Sequence, residues 1–172
     1  MGDKVEIAPV GGEEVEAIAA LAREIWQDAY LALIGQDQID YMLGERYGAH
    51  RMREELARPD IWWRQIRVDG ERAGFYACLL GLTQGEMKLD KLYVHPAHQR
   101  RGLGGLLVAH AVELARSQGC HTLVLTVNKR NEKAIAAYRK YGFTIRESVC
   151  VDIGGGFVMD DYLMAKGLEN RG

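Results

Sequence analysis

The sequence predicts a single domain of the α/β (α+β) class, built on a mixed, mostly antiparallel central sheet that about four helices flank. Strand-like segments and segments of helical periodicity follow one another in the order β-αα-βββ-α-β-α-ββ. That order requires parallel and antiparallel strand pairs in one sheet, with helices packed against it. The chain has 172 residues, of which 48% are hydrophobic, so it is long enough for one core. We expect one domain, 1–172, with its core in about residues 4–167.

The N-terminal part of the chain predicts one strand followed by helices. Residues 4–10 predict a short strand that a Gly-Gly pair ends. Apolar residues then recur at helical spacing from 13 to about 34, before a glycine. Two shorter helical segments follow, around 39–43 and 52–56, and Pro59 ends the second one. This part therefore provides a first strand and a group of N-terminal helices.

Three strands are predicted in the middle of the chain. Residues 62–68 and 73–83 predict two strands, and the Asp-Gly pair between them favours a tight hairpin turn. A third strand is predicted over 87–94. Strands and helices then alternate. The predicted elements are a helix over 103–118, a strand over 121–127, a helix over 132–141, and strands over 143–153 and 157–164 that a triple glycine connects.

A glycine-containing loop follows the strand that ends at Val94 and has the features of a phosphate-binding site. Its residues are Gln99, Arg100, Arg101, Gly102, Leu103, Gly104 and Gly105. The first turn of the next helix has backbone N–H groups without intrahelical acceptors, and the helix dipole is positive there. Glycines let phosphate oxygens approach the backbone, and the arginines add charge. The alternative is a plain tight helix entry. Leu107 occupies the position where a dinucleotide-binding fingerprint needs its third glycine.

Two sequence blocks together resemble the GNAT N-acetyltransferases. The first is the loop from Gln99 to Gly104 after a strand ending Leu-Tyr-Val, and the second is Asn131 to Phe143. One helix, one strand and one loop separate them, in the order found in that family. The resemblance covers about residues 5–166. It implies a GNAT-like fold, acetyl-CoA as the cofactor, and direct transfer of an acetyl group to a primary amine in a ternary complex.

The resemblance also implies roles for individual residues. The backbone of Leu92, Tyr93 and Val94 would bind the pantetheine arm, and Asn131 and Lys133 would contact the cofactor as well. Tyr138 matches the tyrosine that protonates the leaving CoA sulfur in many members. A tyrosine hydroxyl, whose ordinary pKa is ~10, is protonated at neutral pH as a general acid must be. A helix tyrosine packing beside Phe143 is the alternative for Tyr138, and Asn131 is also expected to cap its own helix.

The sequence leaves the general base open. Thr126 stands where some GNAT members have a glutamate, and threonine cannot serve as a base. Asp90 is the candidate base, with Glu86 further along the same strand face. An ion pair between Asp90 and a neighbouring lysine, Lys88 or Lys91, is an equal alternative. An enzyme without a dedicated base is the third.

The N-terminal helices are expected to form the wall of the acceptor site. They carry Trp26, Tyr30 and Tyr41, interleaved with carboxylates. Aromatic faces and carboxylates suit a cation, and the alternative is a packed aromatic face beside a solvated acidic one. The segment also resembles PaiA-type polyamine acetyltransferases, which implies a polyamine or another small primary amine as acceptor. A protein N-terminal or lysine acetyltransferase is the rival enzyme, and a catalytically silent acyl-CoA sensor is the rival of another class.

Composition restricts the other partners. The formal net charge is −2, so no global field favours nucleic acid. No apolar run approaches a membrane span, and we expect no membrane partner. The five histidines share no ligand spacing, so no metal is predicted, and His95 and His98 are expected to be solvent-exposed. The three cysteines (Cys78, Cys120 and Cys150) are expected to be buried, reduced thiols of a cytoplasmic protein. Family habit suggests a homodimer through the last strands.

Overall fold

The computed structural model describes residues 4–81, 83–99 and 101–168, and its elements follow the predicted order except that three α-helices, and not two, lie between the first and the second strand. The strands are β1 (Val5–Pro9), β2 (Ile61–Val68), β3 (Glu71–Leu80), β4 (Glu86–Val94), β5 (Thr122–Asn128), β6 (Thr144–Gly154) and β7 (Phe157–Gly167). The helices are α1 (Val15–Ile34), α2 (Gln36–Tyr47), α3 (Ala49–Leu56), α4 (Leu103–Ser117) and α5 (Glu132–Lys140). The strands form one sheet in the order β1-β2-β3-β4-β5-β7-β6, with β4 and β5 parallel. The predicted fold class is confirmed.

The structure differs from the prediction mainly at the ends of elements. A short 3-10 helix, Gly12–Glu14, precedes α1. The last strand continues to Gly167, three residues beyond its predicted end. It does so because β7 pairs with β5 along the whole length of β5, from Asn128 opposite Asp161 to Thr122 opposite Gly167. Strand ends thus depend on the partner strand as well as on local sequence.

The described residues pack into two compact units. The first is drawn from residues 1–78 and 91–107, and the second from 79–90 and 108–172. The core of the first includes the fully buried side chains of Ile18, Trp63, Ile66 and Phe75. The core of the second includes Leu123, Leu125, Phe143 and Met164. The single domain expected from the sequence stays a prediction.

Glu14 joins the start of the first unit to β2 and β3. Its carboxylate accepts hydrogen bonds from the Gly11 backbone N–H (3.0 Å), the Gln65 amide (2.9 Å), Arg67 (2.6 Å) and Arg72 (2.7 Å). The Gly11 N–H is the largest cause, and with the Gln65 and arginine contacts it lowers the pKa of Glu14 to about 2. The ionised carboxylate is therefore bound more strongly in the folded chain than in the unfolded one.

The substitution Glu14→Gln is expected to lower the free energy of unfolding at pH 7 by roughly 1–3 kcal/mol. The folded-state pKa of Glu14 lies below its ordinary value of 4.5, so this stabilisation is complete above about pH 4.5 and is lost as pH falls towards about 2. Urea unfolding at pH 7 and pH 3 should show the difference between the two proteins shrinking. The exposed neighbour provides the control Glu13→Gln, and an equal response of both variants to pH would contradict the prediction.

The β6–β7 hairpin of the second unit carries exposed apolar side chains. Val151 and Val158 are 51% and 54% exposed, and β6 is an edge strand of the sheet. Cys150, on the same strand, is exposed, so its predicted burial is wrong, whereas Cys78 and Cys120 are buried as free thiols. The homodimer through these strands and the cytoplasmic location stay predictions. Among the helices of the described residues, none has both the length and the apolar character needed to span a membrane.

Candidate active site

The last residues of β4 separate two side-chain layers of the first unit. Leu92 and Val94 pack on one face, against a cluster that includes Leu103 at the start of α4. Alternation along the strand directs Tyr93 to the opposite face, where its ring lies 5.7 Å from that of Phe75. The structure thus joins the predicted cofactor strand to the predicted phosphate-binding helix start through one apolar cluster.

The loop between β4 and α4 has an open, glycine-dependent backbone. Gly102 has a φ of +75°, and a Cβ placed on it would meet no described atom within 4 Å beyond its chain neighbours. The carbonyl of Gly102 accepts the first helical bond, from the Leu106 N–H (3.1 Å). The Gln99 amide donates to the Val94 carbonyl (3.2 Å) and ties the loop back to the strand. Arg100 lies outside the described residues, and Arg101, Gly104 and Gly105 lie beside Gly102 at the start of α4.

Two histidines at the start of this loop contact neighbouring elements of the first unit. His95 Nδ1 accepts from the Ala97 N–H (3.1 Å), and its Nε2 lies 2.9 Å from Oε2 of Glu24 on α1. His98 is 8% exposed, so its predicted exposure is wrong, and its Nε2 lies 3.7 Å from Oε1 of Glu71 on β3. No group of three or more His, Cys, Asp or Glu side chains in the described part of the chain could hold a metal ion.

The predicted acceptor wall is an aromatic cluster in the first unit. The Trp26 ring lies 4.8 Å from Tyr30, its neighbour one helical turn along α1, and 5.8 Å from Tyr93. The Tyr30 and Tyr93 rings are 6.3 Å apart. Trp26 is 2% exposed and the Arg46 guanidinium lies 6.0 Å from its ring, so this side chain is mainly a packing element. Tyr30 is half-buried, and Tyr41 is half-buried on α2.

Sequence reasoning missed two members of this cluster, Tyr47 and Lys91. Lys91 is 3% exposed, and its ammonium lies 5.0 Å from the Trp63 ring and 5.6 Å from the Tyr47 ring. These distances are within the range of cation–π interactions. The sequence signal for this burial is the spacing along β4. Lys91 follows Met87 and Leu89 at intervals of two residues, so it lies on the same buried face of the strand.

The second unit holds the predicted general acid. Asn131 Oδ1 accepts from the Ala134 N–H (3.2 Å), so the predicted cap of α5 is confirmed. Tyr138 lies two turns further on, half-buried, with its ring 5.8 Å from Phe143 in an edge-to-face contact. Lys133 is exposed on the same helix. The ring of Tyr138 thus makes the packing contact with Phe143 that the alternative expects, and its role as general acid stays a prediction.

The two carboxylates proposed as bases differ in their surroundings. Glu86 accepts two hydrogen bonds from the Arg146 guanidinium (2.7 and 3.3 Å), and this contact lowers the pKa of Glu86. A lowered pKa makes a carboxylate a weaker base at neutral pH. Oδ1 of Asp90 lies 3.5 Å from the Lys88 ammonium, as the ion-pair alternative expects. Thr126 is half-buried on β5, opposite Leu163 of β7.

Comparison with known proteins gives a family match. The model of the acetyltransferase (GNAT) family matches residues 17–143. The spermidine N(1)-acetyltransferase of Thermoplasma acidophilum is 24% identical over 160 residues, which are 91% of this chain and 96% of that protein.

Solved structures agree with the fold. The PaiA N-acetyltransferase of Thermoplasma acidophilum, crystallised with coenzyme A, superposes with a TM-score of 0.82 at 23% identity and covers 95% of this chain and 99% of its own. The ribosomal-protein-S18-alanine N-acetyltransferase of Escherichia coli has a TM-score of 0.69 at 22% identity, covering 98% and 97%. At these identities the likeness establishes the fold alone.

Proposed function

The chain belongs to the acetyltransferase (GNAT) family, and we propose that it transfers the acetyl group of acetyl-CoA to a primary amine of a small molecule such as a polyamine. The family match makes the chain an acyltransferase of GNAT type. The observation that carries the acceptor class is the similarity to a spermidine N(1)-acetyltransferase over 91% of this chain. The proposed reaction is a direct transfer within a ternary complex.

The loop after β4 and the first turn of α4 support the proposed binding of acetyl-CoA. The backbone at Gly102 is open to a phosphate oxygen, and the first turn of α4 presents N–H groups and a positive dipole end beside Arg101. We propose that residues 99–105 bind the pyrophosphate and that the backbone of Leu92, Tyr93 and Val94 binds the pantetheine arm. Acetyl-CoA supplies the thioester carbon that the amine attacks.

The half-buried rings support the acceptor proposal. Tyr30, packed against Trp26 and Tyr93, presents an aromatic face next to the proposed cofactor strand. The same cluster already places the Arg46 and Lys91 cations against aromatic rings, a geometry that a protonated amino group of a polyamine, other than the neutral one that attacks, would also use. Trp26 then packs against Tyr30 and Tyr93, and we propose that Tyr41 contacts the amine as well.

The residues proposed for proton transfer belong to the second unit. We propose that the Tyr138 hydroxyl donates a proton to the leaving sulfur and that Asn131 and Lys133 contact the cofactor. Asp90 is the proposed base, since Glu86 is held by Arg146 with a lowered pKa. Asp90 is already engaged in an ion pair with Lys88, so amines that are already neutral are expected to react fastest.

The purified protein with acetyl-CoA tests this proposal. A ligand that binds only the folded state adds ~2.7 kcal/mol at a hundredfold excess over its Kd, which raises the Tm by several degrees. Thiol release is then followed with spermidine, spermine and other small amines, and with peptides carrying a free N-terminus or a lysine. Spermidine-dependent release with intersecting initial-rate plots is the expected result.

Each of the other outcomes would indicate a different function. Release with peptides alone would replace the small-amine acceptor by a protein acceptor. A Tm shift without release under any acceptor would indicate a silent acyl-CoA sensor. No shift would contradict the proposed cofactor site.

A further inference from the structure

Position 74, in the middle of β3, needs a glycine because there is no space for a side chain, and not because of its backbone conformation. It is buried, and its φ is not in the left-handed region. A Cβ placed on it would lie 2.5 Å from the carbonyl oxygen of Tyr93 and 3.2 Å from Cα of Val94. Both atoms belong to the backbone of β4. Real Cβ atoms essentially never approach another atom to 2.5 Å, and the atom met here is a backbone oxygen, so a side chain at position 74 requires this part of β4 to shift.

The two residues that Gly74 touches are held firmly from their other sides. The Tyr93 ring packs 5.8 Å from Trp26 and 5.7 Å from Phe75, and the Val94 side chain packs against the apolar cluster that contains Leu103. Directly after them, the His95 N–H donates to the Ala73 carbonyl (2.8 Å). Side-chain packing on both faces and this hydrogen bond therefore hold the end of β4 in place. Because Gly74 has no side chain, the backbone of Tyr93 and Val94 can lie directly against it.

We infer that Gly74 is a positioning residue for acyl-CoA, acting through the backbone of Tyr93 and Val94. This inference rests on the proposed function, in which that backbone binds the pantetheine arm. To relieve a 2.5 Å contact to an ordinary 3.5 Å, a methyl group at position 74 must push the strand by about 1 Å. A displacement of that size is enough to cost on the order of 10²-fold when the displaced groups orient a reactant.

The test is the substitution Gly74→Ala with two ligands. Coenzyme A carries the pantetheine arm, the pyrophosphate and a phosphorylated adenosine, whereas ADP carries adenosine and the pyrophosphate without the pantetheine arm. We expect Gly74→Ala to weaken coenzyme A about tenfold or more and to leave the Kd of ADP within about twofold of that of the unsubstituted protein. The KM for acetyl-CoA should rise, and the KM for the amine should change less.

Gly81, the residue directly after β3, provides a matched control. A Cβ there would lie 3.0 Å from the carbonyl oxygen of Glu86, at the other end of β4. Gly81→Ala therefore also crowds the β4 backbone, but far along the strand from Tyr93. We expect it to lower the Tm and to leave the ratio of the two Kd values unchanged. A ratio that changes equally in both variants, or in neither, would overturn the inference.

The design also separates this inference from the proposed function and from a folding defect. If the unsubstituted protein does not bind coenzyme A, the proposed function fails; if it binds and Gly74→Ala binds equally well, only the role of Gly74 fails. A Gly74→Ala protein that is unfolded in buffer is titrated with both ligands in an excluded osmolyte such as TMAO, which favours the folded state. Failure to fold there as well would overturn the inference, because Gly74 would then serve the fold itself.

Discussion

The substitution Gly104→Asp is expected to abolish acetyl-CoA binding while the protein remains folded. Gly104 is the second residue of α4, and an acidic side chain in the first turn of a helix is favourable for the helix itself. The same carboxylate would face the proposed pyrophosphate site, where like charges in close contact cost several kcal/mol. Since ~1.4 kcal/mol corresponds to a tenfold change, we expect the Kd to rise by at least ~100-fold. Calorimetric titration with acetyl-CoA measures it.

Two further variants test whether the loss of binding in Gly104→Asp is caused by the charge at this position, by the size of the new side chain or by the changed net charge of the protein. Gly104→Ala adds only a methyl group and should weaken binding much less than Gly104→Asp. Leu106→Asp places the same charge on the same helix, at a side chain that is 46% exposed, and should leave binding nearly unchanged. Near-normal acetyl-CoA affinity in Gly104→Asp would show that the pyrophosphate binds elsewhere.

The substitution Tyr138→Phe is expected to lower kcat by ~10²-fold or more with little change in the Kd of acetyl-CoA. It removes only the hydroxyl group and keeps the ring that contacts Phe143 edge-to-face, so this packing contact is retained. A positioned general acid contributes typically 10²–10⁴-fold, because it donates its proton as the leaving group departs. Steady-state rates with the best amine, together with a binding titration, test both halves of this expectation.

Tyr141, the residue that ends α5, serves as the matched control. Tyr141→Phe removes an equivalent hydroxyl three residues away and should retain the rate of the unsubstituted enzyme. Equal kcat in Tyr138→Phe and Tyr141→Phe would remove Tyr138 from the mechanism and leave its packing against Phe143 as its role. A fall in acetyl-CoA affinity with unchanged kcat would instead make Tyr138 a binding residue.

Local sequence predicted most of the architecture. The Asp-Gly turn between β2 and β3, the cap of α5 by Asn131 and the glycine entry into α4 each depend on residues a few positions apart. For this reason a single sequence is sufficient to predict them. The loop proposed to bind phosphate is predicted in the same way, because a helix start and its glycines are neighbours in the chain.

The surroundings of individual site residues could not be predicted in this way. Lys91 was considered only as one of two alternative ion-pair partners of Asp90, and the structure shows that it is buried against the rings of Trp63 and Tyr47, which come from β2 and α2. Cys150 was expected to be buried, yet it is exposed on the edge strand β6. Burial is decided by which distant segment covers a face, and the residue's own neighbours in the chain do not carry that information.

The sequence by itself determined the order of the strands and helices, the glycine loop and the block from Asn131 to Phe143, because periodicity, caps and turns act within a few residues. Only the tertiary structure decided that Tyr93 meets Trp26 and that Gly74 lies under the Tyr93 carbonyl. Contacts of this kind depend on strand register and on the packing of helices against the sheet, which many distant residues set together.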